Sequence, residues 1–326
     1  MRNIDVFNGD ADGLCSLRQL RLAEPVESQL VTGPKRDISL LERVDAGPGD
    51  RVTVLDVSLE RNRAALIRLL ERGARVRYFD HHFASEVPAH AGLEAVFDAS
   101  SKICTSVLVD RYLKGRFRVW AVVGAFGDGL DDVALELGAS LALGAAELEK
   151  LRELGRSLNY NAYGESESDL LIGPAELYAR LAKYEDPLQF VAKEKLFARL
   201  RAAMHADLKA AMEVPPHWSG EHASAYLLPD RPSSRRVLGV FANHLAHIDP
   251  RRAHAVLAPK AKGSYVVSLR VPPGARTNAE AFCRQFPTGG GRGAAAGIDD
   301  VPNERLEEFL ERFAATFSPP SPRPRN

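Results

Sequence analysis

Arg75-Val76-Arg77-Tyr78-Phe79-Asp80-His81-His82 decides the fold. Its first five residues read as a buried strand with polar edges, and three side chains able to bind a metal follow at its end. Three other apolar runs finish in the same way. Ile4-Asp5-Val6-Phe7 leads into Asn8-Gly9-Asp10-Ala11-Asp12-Gly13, and Val52-Thr53-Val54-Leu55 leads into Asp56. Val119-Trp120-Ala121-Val122-Val123 runs through Gly124-Ala125-Phe126-Gly127 to Asp128. All four runs are expected to be strands. An open parallel sheet binds its ligands outside the carboxyl ends of its strands. Four strands that each deliver a carboxylate or an imidazole there would build one polyvalent metal site.

Between these runs the pattern switches to helical spacing. Helices are expected over 14–23, 38–44, 59–72 and 104–113, with a short strand near 29–32. Repeated strand–helix alternation implies right-handed crossovers and a parallel sheet. Residues 131–158 are Ala/Leu-rich and helical in pattern, and 190–213 read as a long helix that Val214-Pro215-Pro216 breaks. A second set of strands is expected near 225–228, 237–240, 254–257 and 265–270. A helix over 278–286, a glycine-rich turn and a final helix over 303–317 complete it. The expected fold is α/β. A doubly wound, largely parallel sheet domain spans 1–186, a helical linker 187–222, and a smaller α/β domain 223–317, with a disordered tail at 318–326. The active site is expected in the cleft between the domains.

Composition narrows the function. Of 326 residues, Lys+Arg and Asp+Glu each number 43, so the formal net charge is zero. Binding to long nucleic acid rests on phosphate neutralisation by a basic surface, and the balance argues against it as the main activity. A small phosphorylated substrate remains compatible. Cys15, Cys104 and Cys283 lie far apart, odd in number and without a Cys-x-x-Cys pair. That argues against a disulfide framework or zinc knuckle and favours a reduced, cytoplasmic setting. No signal peptide is expected, because the chain enters a strand carrying Asp5 almost at once, and no apolar run approaches membrane-spanning length.

The chemistry follows from ligand type. Asp10, Asp12, Asp56, Asp80, His81, His82 and Asp128 offer many carboxylates and few imidazoles, a set that suits Mn²⁺ or Mg²⁺ and tolerates Co²⁺. Two such ions roughly 3.5–4 Å apart can share a carboxylate, activate water and neutralise a phosphoryl group during in-line attack. A single Asp after a strand is ordinarily a turn or cap residue. Acids or imidazoles after four separate strands are not explained that way.

Four motifs carry a resemblance: Asn8-Gly9-Asp10-Ala11-Asp12-Gly13, Leu55-Asp56-Val57-Ser58, Asp80-His81-His82 and Gly127-Asp128-Gly129. In this order they resemble the DHH family of phosphoesterases. That family includes RecJ-type exonucleases, oligoribonucleases, cyclic-dinucleotide phosphodiesterases and family II pyrophosphatases. The resemblance implies two Mn²⁺ ions held by Asp10, Asp12, Asp56, His81 and Asp128, with Asp56 bridging. Asp80 and His82 would complete the site, His82 next to the phosphate. Many relatives carry a ligating His four residues before the first motif Asp. Val6 stands there, which leaves one metal site a ligand short.

Phe286-Pro287-Thr288-Gly289-Gly290-Gly291-Arg292-Gly293-Ala294-Ala295-Ala296-Gly297 resembles the substrate-binding motif of the DHH-associated domain. Gly289, Gly290 and Gly291 are expected to form a turn that points N–H groups at an anion, with a helix packed behind. Arg292 stands where the family has a His, and Arg270 resembles the family's phosphate-binding strand arginine. Lys35 and Arg36, after the second strand, could line the same crevice. The reading is a metal-dependent phosphohydrolase acting on a nucleotide, short oligonucleotide or polynucleotide end. It has no membrane partner and leaves a homodimer open. The alternatives are a phosphoanhydride hydrolase of the exopolyphosphatase or pyrophosphatase kind and a catalytically silent nucleic-acid-binding relative.

Overall fold

A computed structural model describes residues 1–318 apart from Lys262, and the tail expected to be disordered otherwise lies outside the described residues. The chain divides into two compact units, Met1–Ala203 and the residues from Met204 onward.

The first unit opens with β1 (Asn3–Asn8), α1 (Ala11–Ala23), β2 (Gln29–Gly33), a 3-10 turn at Leu40–Arg43, and β3 (Arg51–Leu55). Then follow α2 (Leu59–Glu71), β4 (Arg75–Asp80), β5 (Leu93–Phe97), α3 (Thr105–Tyr112), α4 (Arg118–Gly127), α5 (Asp131–Ala139) and α6 (Ala145–Ala162). Shorter α7 (Pro174–Leu181) and α8 (Pro187–Lys193) lead to α9 (Lys195–Met212), inside which the boundary between the units falls.

The strands form a sheet in the order β2-β1-β3-β4-β5, parallel throughout. Alternation splits their side chains between two cores. Ile4, Val6, Val52, Val54, Val76 and Tyr78 pack with Leu66, Leu69 and Leu70 of α2. Phe7, Leu55 and Phe79 face the other way, onto α1, α3 and α4. Cover on both faces is why these strands read as near-continuous apolar runs. The chain steps from β1 outward to β2 and then returns to the far side of β1 as β3. The order reverses between β1 and β3, and that is where such sheets bind ligands.

The run from Val119 to Val123 is not a strand, as its sequence suggested, but the middle of α4. An apolar run buried on all sides has no period to tell helix from strand. Its glycines settle the matter, because they allow helices to cross closely. A Cβ added at Gly127 would lie 2.2 Å from Ala11 Cβ, and one at Gly155 of α6 would lie 2.4 Å from Val123 O. The four motif segments therefore follow three strands and one helix.

The second unit contains β6 (Trp218–Ser219), β7 (Ala223–Leu227), α10 (Pro232–Ile248), β8 (Ala253–Lys260), β9 (Ser264–Arg270) and α11 (Ala279–Cys283). It continues through β10 (Gly289–Arg292) and β11 (Ala295–Pro302) to α12 (Leu306–Phe317). Its mixed sheet runs β10-β11-β9-β8-β7-β6. Two expectations are overturned here. Residues 237–240 lie in α10, where Val237, Leu238, Phe241 and Leu245 repeat at helical spacing on its buried side. The glycine-rich segment is no turn before a helix. It is the edge strand β10 of a hairpin, in antiparallel register with β11 from Gly289↔Ile298 to Arg292↔Ala295. The small residues serve the close contacts of that hairpin: a Cβ at Gly291, whose φ is 151°, would fall 2.4 Å from Ala296 Cα.

Candidate metal centre

Asp10 is the N-cap of α1, and its Oδ1 accepts from the N–H groups of Asp12 and Gly13. The cap turns the chain so that Asp12, on the first turn, is buried beside it. Asp12 in turn accepts from the backbone N–H groups of Thr105 and Ser106, both at 2.7 Å, at the start of α3. Two N–H donors at a helix N-terminus hold this carboxylate in one orientation. α3 is drawn close because Gly124 of α4 leaves room, and a Cβ there would sit 2.2 Å from Ser106 Oγ.

Asp56 follows β3 with φ 58°, the left-handed region, which for a residue with a Cβ is a held conformation. Its N–H donates to Phe79 O, and Thr105 Oγ1 donates to its Oδ1 at 3.2 Å. Burial, and then the neighbouring charges of Asp10 and Asp12, push its carboxyl well above the usual carboxylate range.

His81 follows β4 and is buried. Its Nδ1 lies 2.9 Å from Ile103 O. A carbonyl can only accept, so Nδ1 carries a proton, and Nε2 is the nitrogen turned toward the carboxylates. Nε2 lies 3.3 Å from Asp56 Oδ1 and 3.9 Å from Asp12 Oδ2. A carbonyl that fixes the tautomer from behind readies an imidazole for a metal. Asp56, His81 and His82 bring one ligand atom each within 4.8 Å of one another. The donor set is oxygen-rich with imidazole and has no thiolate, which fits Mn²⁺ or Mg²⁺.

Asp80 is fully buried, and its Oδ1 takes His82 Nδ1 at 2.6 Å and the His82 N–H at 3.2 Å. Its other oxygen, Oδ2, is buried without a hydrogen-bond partner among the described residues. Burial alone would lower the His82 pKa, but the Asp80 hydrogen bond and charge outweigh it and raise the value. The His82 side chain is 41% exposed, so the ring held from behind by Asp80 is open to solvent.

Asp128 caps the C-terminus of α4, the helix that replaces the expected strand. Its ion-pair partner is Lys35, which follows β2. Lys35 Nζ lies 2.5 Å from Asp10 Oδ2, 3.8 Å from Asp128 Oδ1 and 3.3 Å from Asn159 Oδ1. The Lys35 backbone N–H donates to Ala162 O, and its ammonium lies 5.7 Å from the Tyr163 ring centroid. Burial would raise the Asp10 carboxyl, but Lys35 outweighs it and holds the group below its ordinary value. Burial leaves Asp128 raised despite the same lysine. Asp10, Asp12, Asp56, Asp80, His81, His82 and Asp128 are thus gathered at the carboxyl end of the first unit's sheet. Asp5, one strand residue before Val6, faces away and takes Arg21 at 2.7 Å and Ser28 at 2.6 Å.

Sequence reasoning gave no role to Thr105 and Ser106, whose contribution is backbone N–H, and left Lys35 only as a lining residue. The position of Lys35 just past a strand next to β1 was the available signal. In the second unit, Arg270 donates to Asn243 Oδ1 at 2.6 Å and Leu269 O at 2.9 Å, and Gly289–Gly291 lie in β10. The side chain of Arg292 lies outside the described residues.

No family model matches the chain, and no curated protein matches it. Solved structures do. RecJ from Thermus thermophilus in complex with Mn²⁺ matches with TM-score 0.67 and 20% identity over 96% of this chain. The match covers 51% of that protein, so the chain spans about half its length. An exonuclease RecJ bound to manganese matches with TM-score 0.61 and 18% identity, covering 96% of this chain and 89% of the other. The fold is that of the RecJ-like DHH phosphoesterases. The pGpG-specific phosphodiesterase PggH of Vibrio cholerae shares it with TM-score 0.53 and 14% identity, over 95% of this chain and 97% of its own. The DHH motifs read in the sequence and the RecJ-like fold therefore agree.

Proposed function

We propose that the protein is a metal-dependent phosphohydrolase that cleaves a phosphoester of a nucleotide, a short oligonucleotide or a polynucleotide end. The observation that carries this reading is the convergence of His81 Nε2 on oxygens of Asp12 and Asp56, at 3.9 and 3.3 Å, at the switch point of a parallel sheet. Mn²⁺ is the expected ion, with Co²⁺ and Mg²⁺ as alternatives, and two ions are the expected complement. Asp10, Asp12, Asp56, His81 and Asp128 would hold them, with Asp56 shared. When bound, the ions make water nucleophilic at neutral pH and draw charge from the phosphoryl oxygens.

The chain's own groups do the rest. Asp12 is held by the α3 N–H groups and cannot swing away. Asp80 orients His82 and raises its pKa, and the exposed ring would donate a hydrogen bond to the phosphate. In the second unit, Arg270, Arg292, Gly289, Gly290 and Gly291 are the proposed substrate-binding groups. Three free, buried cysteines are consistent with a reducing compartment such as the cytoplasm. No helix among the described residues is long and apolar enough to cross a membrane.

A panel of mononucleotides, dinucleotides, short single strands, pyrophosphate and polyphosphate, each with Mn²⁺, Co²⁺ or Mg²⁺, tests the reading. Metal-dependent turnover of a phosphoester is the expected result. Turnover of pyrophosphate or polyphosphate alone would select the phosphoanhydride reading. Binding without any turnover would select the silent relative.

A further inference from the structure

The amino end of the first unit's sheet carries charges that the metal centre, at the carboxyl end, does not use. Alternation puts Arg51, Thr53 and Leu55 of β3 on one face, together with Arg75, Arg77 and Phe79 of β4. Toward the carboxyl end, Leu55 and Phe79 are covered by α1, α3 and α4. α1 stops at Ala23, and there a cavity of about 540 Å³ opens, lined by Glu24, Arg51, Thr53, Arg75, Arg77 and Gly92. Small-molecule sites have volumes of roughly 300–1,000 Å³. The charges of this cavity lie in two rows. In the inner row Arg77 is the register partner of Thr53 and of Glu94, which also lines the cavity. Glu24 takes the Arg77 guanidinium at 2.7 and 3.1 Å, and Asp5, on the other side of Thr53, takes Arg21. That row is closed. In the outer row Arg51 and Arg75 are register partners of each other. Both are exposed, and neither has an ion-pair partner among the described residues. Glu24 feels the Arg51 charge, but its hydrogen bonds go to Arg77. Like charges directly opposite on one face of a sheet are destabilising. The excess positive charge of the cavity therefore falls on this pair.

We propose that Arg51 and Arg75 form a binding site for a phosphoryl anion, carried by free phosphate or by a nucleotide 5′-monophosphate. Each guanidinium presents a rigid fork of donors that matches a phosphate edge, and two forks side by side can hold one tetrahedral anion between them. The anion turns a repulsion into two charge-assisted pairs, and the cavity holds the rest of the ligand. The site is separate from the metal centre. Arg51 precedes Asp56 by five residues, and Arg75 precedes Asp80 by five. At about 3.3 Å per residue that is roughly 16 Å of strand. An anion at the arginines does not touch the metal-centre groups, and the inference does not rest on the reading of that centre.

The test is calorimetric titration of the chelator-treated full chain with inorganic phosphate and, separately, with adenosine 5′-monophosphate, against potassium chloride of equal ionic strength. The wild-type protein should bind phosphate saturably at one site. Arg51→Gln and Arg75→Gln should each weaken that binding by about tenfold or more, and Arg75→Glu should abolish it. Equal affinity for the two probes assigns the free anion, whereas tighter binding of the nucleotide assigns a nucleotide ligand. Lys35→Met, which removes the lysine of the metal centre, should leave phosphate binding unchanged. Thermal melts give a second signature. In phosphate-free buffer Arg51→Gln and Arg75→Gln should melt no lower than the wild type, because each removes one of two opposed like charges. Added phosphate should then raise the melting temperature of the wild type and not of the variants. Heats no larger than those with chloride, binding unmoved by both glutamine variants, or binding lost in Lys35→Met would overturn the proposal. So would a lower melting temperature of both glutamine variants in phosphate-free buffer, which would show that the arginines serve the fold alone.

Discussion

At the residue scale, ligands and the groups that hold them should fail differently. Asp56→Ala removes the proposed shared ligand, and kcat should fall below detection in a steady-state assay, with binding of Mn²⁺ lost. Asp80→Asn leaves every expected ligand but loosens His82. Losing such an outer partner ordinarily costs roughly 10–100-fold, so kcat should drop by about that factor with Mn²⁺ affinity changed far less. An Asp80→Asn variant with unchanged kcat would remove His82 from the mechanism. Arg292→Ala should act mainly on KM, as a group that positions substrate does. The same division governs what the sequence reveals. Asp10, Asp12, Asp56, Asp80, His81, His82 and Asp128 stand out because few side chains can serve an oxygen-loving ion, and their positions past apolar runs say they point one way. Thr105 and Ser106 could not be read, since every residue but proline has an N–H and only the close approach of α3 brings these two to Asp12.

At the element scale, the parallel sheet could be foreseen because its strands are short, β-branched and bounded by turn residues, whereas α4 could not. Its segment is apolar on every side, and the decisive contacts, Gly127 on Ala11 and Gly155 on Val123, join residues far apart in sequence. The glycine-rich strand β10 was misread for the opposite reason. Glycines signal close approach of backbones, but not whether the approaching partner is a ligand or the neighbouring strand. Gly124→Ala should cost about 1–3 kcal/mol by overpacking against Ser106. Because Ser106 N–H holds Asp12, the same variant should weaken Mn²⁺ binding, and a urea melt read beside a metal titration checks both. In β8, His254 is buried between Ser224 Oγ and Asp249 O, and burial lowers its pKa. Near pH 6 the unfolded chain then takes a proton that the folded one refuses, so stability rises with pH there. Melting measurements should show the second unit weakening as pH falls from about 6.5 toward the depressed value, and then levelling off. His254→Asn should flatten that dependence.

At the scale of the whole molecule, the balance of 43 basic and 43 acidic residues offers no long electrostatic track. In a length series of single strands from dinucleotide upward, kcat/KM at fixed salt should be highest for the shortest members and show a shallow salt slope. A steep rise with length, or cleavage of a circular strand, would point to a groove-binding nuclease. The arrangement of the metal centre has a different consequence, for the lifetime of the protein. Its residues run from Asp10 to Asp128 and are supplied by loops after β1, β3 and β4 and by the end of α4. An extended chain offers no such cluster, so an ion held there would bind the folded first unit and leave the unfolded one alone. At about 100 times its dissociation constant, an ion of this kind adds about 2.7 kcal/mol to stability. Removing a bound divalent ion would then act on stability as well as on the proposed chemistry. The metal-free first unit would open more often to proteases than the same unit with its ion bound.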